Sequence, residues 1–169
     1  MMRSLVPCLA FFLYSMTAMA NQSTATVELQ FIELDEADYE VVREELLATR
    51  LPGDYEGLNR SQVPAGFWKK VQTFPGSELL SAPKVSTGYG NEAKIEISDL
   101  LEVKVVCSKA EKGIGVDLKV KMKTWKKGLS SNVTLPENVQ AMVGSLSNSE
   151  GRRVLVLCKV FQAGATSAN

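Results

Sequence analysis

The chain has 169 residues, with 19 Lys+Arg balanced by 19 Asp+Glu, three cysteines and no histidine. Without His there is no Ser-His or Cys-His nucleophile pair, no imidazole metal ligand and no imidazole pH switch. The neutral balance excludes a globally basic nucleic-acid binder, and the 45% apolar content suits one globular domain rather than a disordered chain.

Residues 1–20 read as a secretory signal peptide: Arg3 is the positive start, residues 5–14 the apolar stretch, and Ala18-Met19-Ala20 a small-x-small cleavage site. The apolar run is shorter than the ~20 residues a spanning helix needs, which favours cleavage over anchoring. Cys8 follows Pro7 inside this run, which is not the position of a lipid-attachment cysteine. The expectation is an exported protein, periplasmic or outer-membrane associated. One domain is expected over residues 21–162, with a loose small-residue tail at 163–169.

Residues 27–34 (VELQFIEL) alternate at Val27, Leu29 and Phe31 and then change phase at Ile32, which predicts a strand bulged near its end. Asp35 is an N-cap candidate for a helix running to about Arg50, with Tyr39, Val42 and Leu46 at helical spacing and Pro52-Gly53 as its stop. After a polar loop over 54–62, Pro64 opens a second, short helix carrying Phe67, Val71 and Phe74. The period then changes to two. Residues 79–87 form a strand interrupted by Pro83, which confines it to an edge or a bulge. The turn Gly88-Tyr89-Gly90-Asn91 leads to a strand over 93–97, and the two strands read as a hairpin. Strands follow at 101–108 and 116–123, separated by a charged turn over 110–115, and a closing hairpin spans 139–146 and 152–162. The fold class is α+β: mainly antiparallel β-sheet with two short helices in the N-terminal half.

Charge is uneven along this path. Residues 28–56 carry ten acids and two Arg, whereas residues 102–127 carry eight Lys and three acids. Most of these charges read as solvated faces of a helix and a strand. Lys119, Lys121 and Lys123 on one strand face, with Lys126 and Lys127 beside Trp125, form a candidate contact for an anionic membrane or polysaccharide surface. Glu33, Asp35, Glu36 and Asp38 are explained as acids at a helix N-terminus and lack EF-hand spacing. There is no Gly-x-Ser-x-Gly and no Gly-x-x-x-x-Gly-Lys loop, so the reading is non-enzymatic, with no cofactor, no metal and no nucleic acid. For Cys107 and Cys158 two readings stay open: two buried small hydrophobes, or one disulfide in an oxidising compartment.

The stretch from Phe67 to Ile97 resembles the core module of the secretins, the ring-forming outer-membrane channels of type II and type III secretion and of type IV pili. The matching residues are Leu80, Ser81, Pro83, Val85 and Thr87 in the first strand, then Gly90, Asn91, Glu92, Ala93 and Ile95 in the turn and second strand. The opening strand and helix, the run Gly115-Val116-Asp117-Leu118-Lys119-Val120 and the late strand GRRVLVL follow in the family's order. The departures are a late strand ending in Cys158-Lys159 where the family has Gly-Gly, and several strands shorter than the ~9–11 residues of a membrane barrel. The resemblance therefore implies a reduced, stand-alone relative. It would act by assembly or contact, with copies of itself or with secretion or pilus envelope components as partners. A soluble extracytoplasmic binding module for an anionic surface or a partner protein is the alternative.

Overall fold

The computed structural model describes residues 23–48, 62–64 and 66–162. The signal-peptide reading, the stop at Pro52-Gly53, the loop over 54–61 and the tail at 163–169 lie outside these residues. The elements in chain order are β1 (Thr24–Asp35), α1 (Glu36–Ala48), α2 (Phe67–Val71), β2 (Glu78–Ser81), β3 (Lys84–Gly88), β4 (Glu92–Ile97), β5 (Leu101–Ala110), β6 (Gly113–Met122), β7 (Lys127–Leu135), β8 (Gln140–Ser147) and β9 (Arg152–Gln162). They form two antiparallel sheets, so the α+β class with a dominant antiparallel sheet holds.

In the first sheet the order is β2/β3-β1-β9-β8, with β2 and β3 sharing one edge of β1 in tandem. The second is the meander β4-β5-β6-β7. Their facing sides make one core. It takes Val27, Leu29 and Phe31 from β1 and Val154, Val156 and Val160 from β9, against Leu101, Val103 and Val105 of β5 and Val116, Leu118 and Val120 of β6, all buried. Each such side chain contributes about 1.5–3 kcal/mol on burial.

The far face of the first sheet explains the apparent phase change in β1. The β1–β9 register runs unbroken from Ala25↔Gln162 to Asp35↔Arg152. Ile32 and Leu34 simply occupy the outward face, where they join Leu155, Leu157 and Met142 beneath the helices. The same double burial makes residues 154–158 of β9 a continuous apolar run rather than an alternating one. The register does shift between Phe31 and Ile32, but only in the short pairing with β2.

α1 begins where the acids predict. Asp35 Oδ1 accepts the N–H of Asp38 at 2.9 Å, which is an N-cap bond. Tyr39, Val42 and Leu46 are buried against the sheet, with Phe67 and Val71 of α2 beside them. The second helix starts at Phe67 rather than Pro64. The Pro64 carbonyl accepts the Phe67 N–H at 3.1 Å in a preceding turn, and Gly66 at φ 83 is the N-cap. Arg152 binds the layers at one end: its Nε donates to Glu33 at 2.7 Å and Nη2 to the Gly76 carbonyl at 2.9 Å. Arg153 makes a forked pair with Glu36 at 2.7 and 2.8 Å and lies over the Tyr39 ring.

Three expectations are corrected. The strands over 79–87 and 93–97 are not a hairpin: β3 pairs with β1, whereas β4 pairs with β5 in the other sheet. The turn over 110–115 shrinks to Glu111-Lys112, because β5 and β6 pair as far as Ala110↔Gly113. A strand absent from the sequence reading, β7, pairs along β6 from Ile114↔Leu135 to Met122↔Lys127. Leu129, Ser131, Val133 and Leu135 were its period-two signal, masked by polar residues at the inward position Ser131 and at neighbouring outward positions.

Candidate functional site

The edge strands of the two sheets face each other on both sides of the sandwich. On one side β7 lies against β8, where the Leu129 side chain fills the space above Gly144 so tightly that a Cβ there would sit 2.6 Å from it. On the other side the edge strands β2/β3 and β4 are joined by the 88–91 connection, and β3 contacts β4. These strands and that connection carry the residues 80–95 singled out in the sequence.

Each motif residue has a physical role there. The Pro83 carbonyl accepts the Leu29 N–H at 2.9 Å, so the edge of β1 stays bonded across the break that separates β2 from β3. Pro has no N–H to leave unpaired on the outer side, which is why it is tolerated at this edge. Ser81 pairs with Phe31, and Val85 pairs with Val27. Leu80 and Val85 are half-buried against the core. Thr87, 8% exposed, donates to the Asn91 carbonyl at 3.0 Å, and the Asn91 N–H bonds to Gly88 at 3.0 Å. Gly90 at φ 82 gives its N–H to the Cys107 carbonyl at 2.8 Å. Thr87, Gly90 and Asn91 thus steer the chain from one sheet to the other. Glu92, Ala93 and Ile95 then form β4, with Ala93, Ile95 and Ile97 half-buried toward the core and Glu92, Lys94 and Glu96 exposed.

The strand lysines lie on the solvent face of the second sheet, but not alone. Register places Lys94, Lys104 and Lys119 in one row across β4, β5 and β6, and Glu96, Glu102 and Lys121 in the next. Lys94 Nζ is 2.6 Å from Glu96 and 3.6 Å from Glu102, and Lys104 is 3.5 Å from Glu92. The hydrogen bond with Glu96 raises the Lys94 pKa, and the same contact lowers that of Glu96. Asp117 shares the face with Lys119 and Lys121. Lys123 lies beyond the end of β6, where it donates to the Ser98 carbonyl at 3.2 Å. The face is therefore a mosaic of both signs rather than a basic patch.

Lys126 ends the β6–β7 turn, in the left-handed region at φ 52, and Lys127 opens β7. Trp125, Lys127 and Thr124 line a cleft of about 490 Å³ whose other wall is Ser147, Asn148, Ser149 and Glu150 of the β8–β9 turn. Asn148 Oδ1 accepts the N–H groups of Glu150 and Arg152, both at 2.9 Å, and so shapes that wall. Sequence reasoning found the Trp-Lys-Lys half but not the Ser-Asn-Ser-Glu half, since only the packing of β7 on β8 brings the two turns to one end.

Cys107 and Cys158 belong to the same inter-sheet core and are free thiols, both buried. The disulfide reading is not the state seen. Burial pushes the Cys107 thiol up to about 11, and Cys158 is pushed up further by burial and by the nearness of Cys107. A protonated, enclosed thiol is a poor nucleophile. Native protein at pH 8 should therefore react with an aromatic disulfide reagent on the order of 100-fold or more slowly than protein in denaturant. Mass spectrometry after denaturation and alkylation should count both Cys107 and Cys158 as modified. A species two mass units lighter that resists alkylation until reduced would overturn this.

Among the described residues no group of three or more His, Cys, Asp or Glu could hold a metal ion, and no helix is long and apolar enough to cross a membrane. No family model, no curated protein and no solved structure matches the chain.

Proposed function

We propose that the chain is an exported, non-enzymatic, secretin-like module that acts by assembly or contact in the cell envelope, as part of a secretion or pilus system. The supporting observation is where residues 80–95 fall: the block that resembles the secretin core supplies the edge strands of both sheets on one side of the sandwich. That side offers strand edges and half-buried apolar side chains, the groups by which β proteins add to one another. The first sheet's other face is partly closed by the helices, and the second sheet's other face carries balanced, exposed charges.

Mass measurement of the purified protein in buffer and in detergent, with negative-stain imaging, tests this. Defined oligomers are expected in at least one condition. A strict monomer in both would overturn the assembly reading. A second reading, a module contacting an anionic membrane or polysaccharide, is favoured by the cleft that sets Trp125 beside Lys127. A monomer retained on anionic vesicles at low salt, and released when Lys126 and Lys127 are both changed to Gln, would replace the first reading with the second.

A further inference from the structure

The four sheet edges are not equivalent. β2/β3 is broken at Ala82-Pro83. β8 is bulged between Met142 and Gly144 and is covered by the Gln62↔Ala141 bridge, with the Val63 N–H on the Gln140 carbonyl at 2.8 Å. β7 packs against β8. β4 contacts β3 of the facing sheet, but it has no break, bulge or covering bridge. It contains no Pro, Gly or bulge, its pairing with β5 is regular from Glu92↔Val106 to Ile97↔Leu101, and among the described residues no strand lies on its outer side. Its inward residues Ala93, Ile95 and Ile97 are apolar and only half-buried. A charge at such an inward position is one device that keeps an edge strand single, and β4 has none there.

We infer that the outer edge of β4 is a self-association surface, on which a second copy of this chain adds its own β4 antiparallel about a two-fold axis at Ile95. This rests on the assembly reading and names its surface. The register follows from side-chain alternation. A one-residue slip would put one copy's apolar face against the other's charged face, so paired residues must have the same parity. Centring on Lys94 sets Lys94 opposite Lys94 and Glu92 opposite Glu96, all repulsive. Centring on Glu96 sets Glu96 opposite itself, and centring on Ala93 matches Glu92 with Lys94 but pairs only residues 92–94 of β4, leaving Ile95 and Ile97 opposite the 88–91 connection. Centring on Ile95 sets Lys94 opposite the partner's Glu96, Glu96 opposite the partner's Lys94, Ala93 opposite Ile97 and Ile95 opposite Ile95. The result is one continuous eight-stranded sheet with its apolar sides on the same face. It is an isologous contact, in which residue i meets j and j meets i.

The test uses two single variants of the purified protein, Lys94→Glu and Glu96→Lys, in sedimentation equilibrium at low salt. In the proposed register each variant faces its own kind across two like-charged contacts. Each should therefore self-associate at least about tenfold more weakly than wild type. Mixed one to one, the two variants should associate again, because every contact is then of opposite sign. Ile95→Lys should give a monomer that keeps its unfolding cooperativity, since the side chain sits at a half-exposed edge. Oligomers that form equally well in both single variants would overturn the β4 edge and leave the assembly reading standing. Monomers in every sample, wild type included, would overturn the β4 edge, and the assembly reading falls with it when the wild type is monomeric in detergent as well. Weakened variants that fail to recover on mixing would overturn the Ile95 register.

Discussion

Phe31→Ala is expected to lower the unfolding free energy by about 3–5 kcal/mol, which is much of the 5–15 kcal/mol typical of a domain. Phe31 is fully buried between the sheets, opposite Val156 on the central pair β1–β9. It also sits where the pairing with β2 shifts, next to Ile32. Truncation leaves a void that two stacked sheets cannot close without sliding, so both the transfer and the cavity losses apply. With a urea m-value of about 1–3 kcal/mol/M, the midpoint should fall by roughly 2 M, or the variant should be unfolded in water. Phe161→Ala is the control. Phe161 is half-buried on the outward face of the same sheet, beneath the Lys84 and Lys159 ammonium groups at 4.9 and 6.0 Å. Its loss should cost no more than about 1.5 kcal/mol. Equal effects of the two changes would contradict the inter-sheet core.

Gly113→Ala should be the most damaging single-methyl change. Gly113 begins β6 at φ 152, and a Cβ there would stand 2.2 Å from the Leu135 carbonyl oxygen and 2.9 Å from its carbon. Those atoms are backbone at the end of β7, where Ile114 pairs with Leu135, so no rotamer change can relieve the contact. Either the β6–β7 ladder opens at its end or the β5–β6 turn is rebuilt. The expected loss is about 2–4 kcal/mol, from backbone conformation and overpacking together. For a chain of this size it should appear as a melting temperature lower by roughly 5–15 °C. Gly90→Ala and Gly151→Ala separate the two causes. Both glycines have positive φ, at 82 and 75, yet nothing lies within 4 Å of their added Cβ. They should lose only the conformational part, about 1 kcal/mol. A Gly113→Ala variant as stable as these would show that the close approach of β6 to Leu135 does not persist in solution.

Local chemistry made much of this fold legible. The acids after Asp35 and the spacing of Tyr39, Val42 and Leu46 located α1 and its buried face, because capping and the 3.6-residue period act within a few residues. The alternation of Val116, Leu118, Val120 and Met122 gave the inward face of β6 in the same way. Pro83 identified an edge strand, since a missing N–H is tolerated only there.

Which strands pair was another matter. The turn over 88–91 has the residues of a hairpin loop. Yet Thr87, Gly90 and Asn91 close it into a crossover from β3 in one sheet to β4 in the other. Its destination is set by what each strand gains: β3 completes the edge of β1, and the apolar side of β4 covers the core beside β5. The phase change at Ile32 could not be interpreted without the helices, because one strand there serves two cores. The strand lysines read as a basic face until the register set Glu92, Glu96, Glu102 and Asp117 among them. Composition and period act along the chain, over a few residues. Register, edge exposure and the charge of a face are properties of strands far apart in sequence, and only the free energy of the packed whole selects among them.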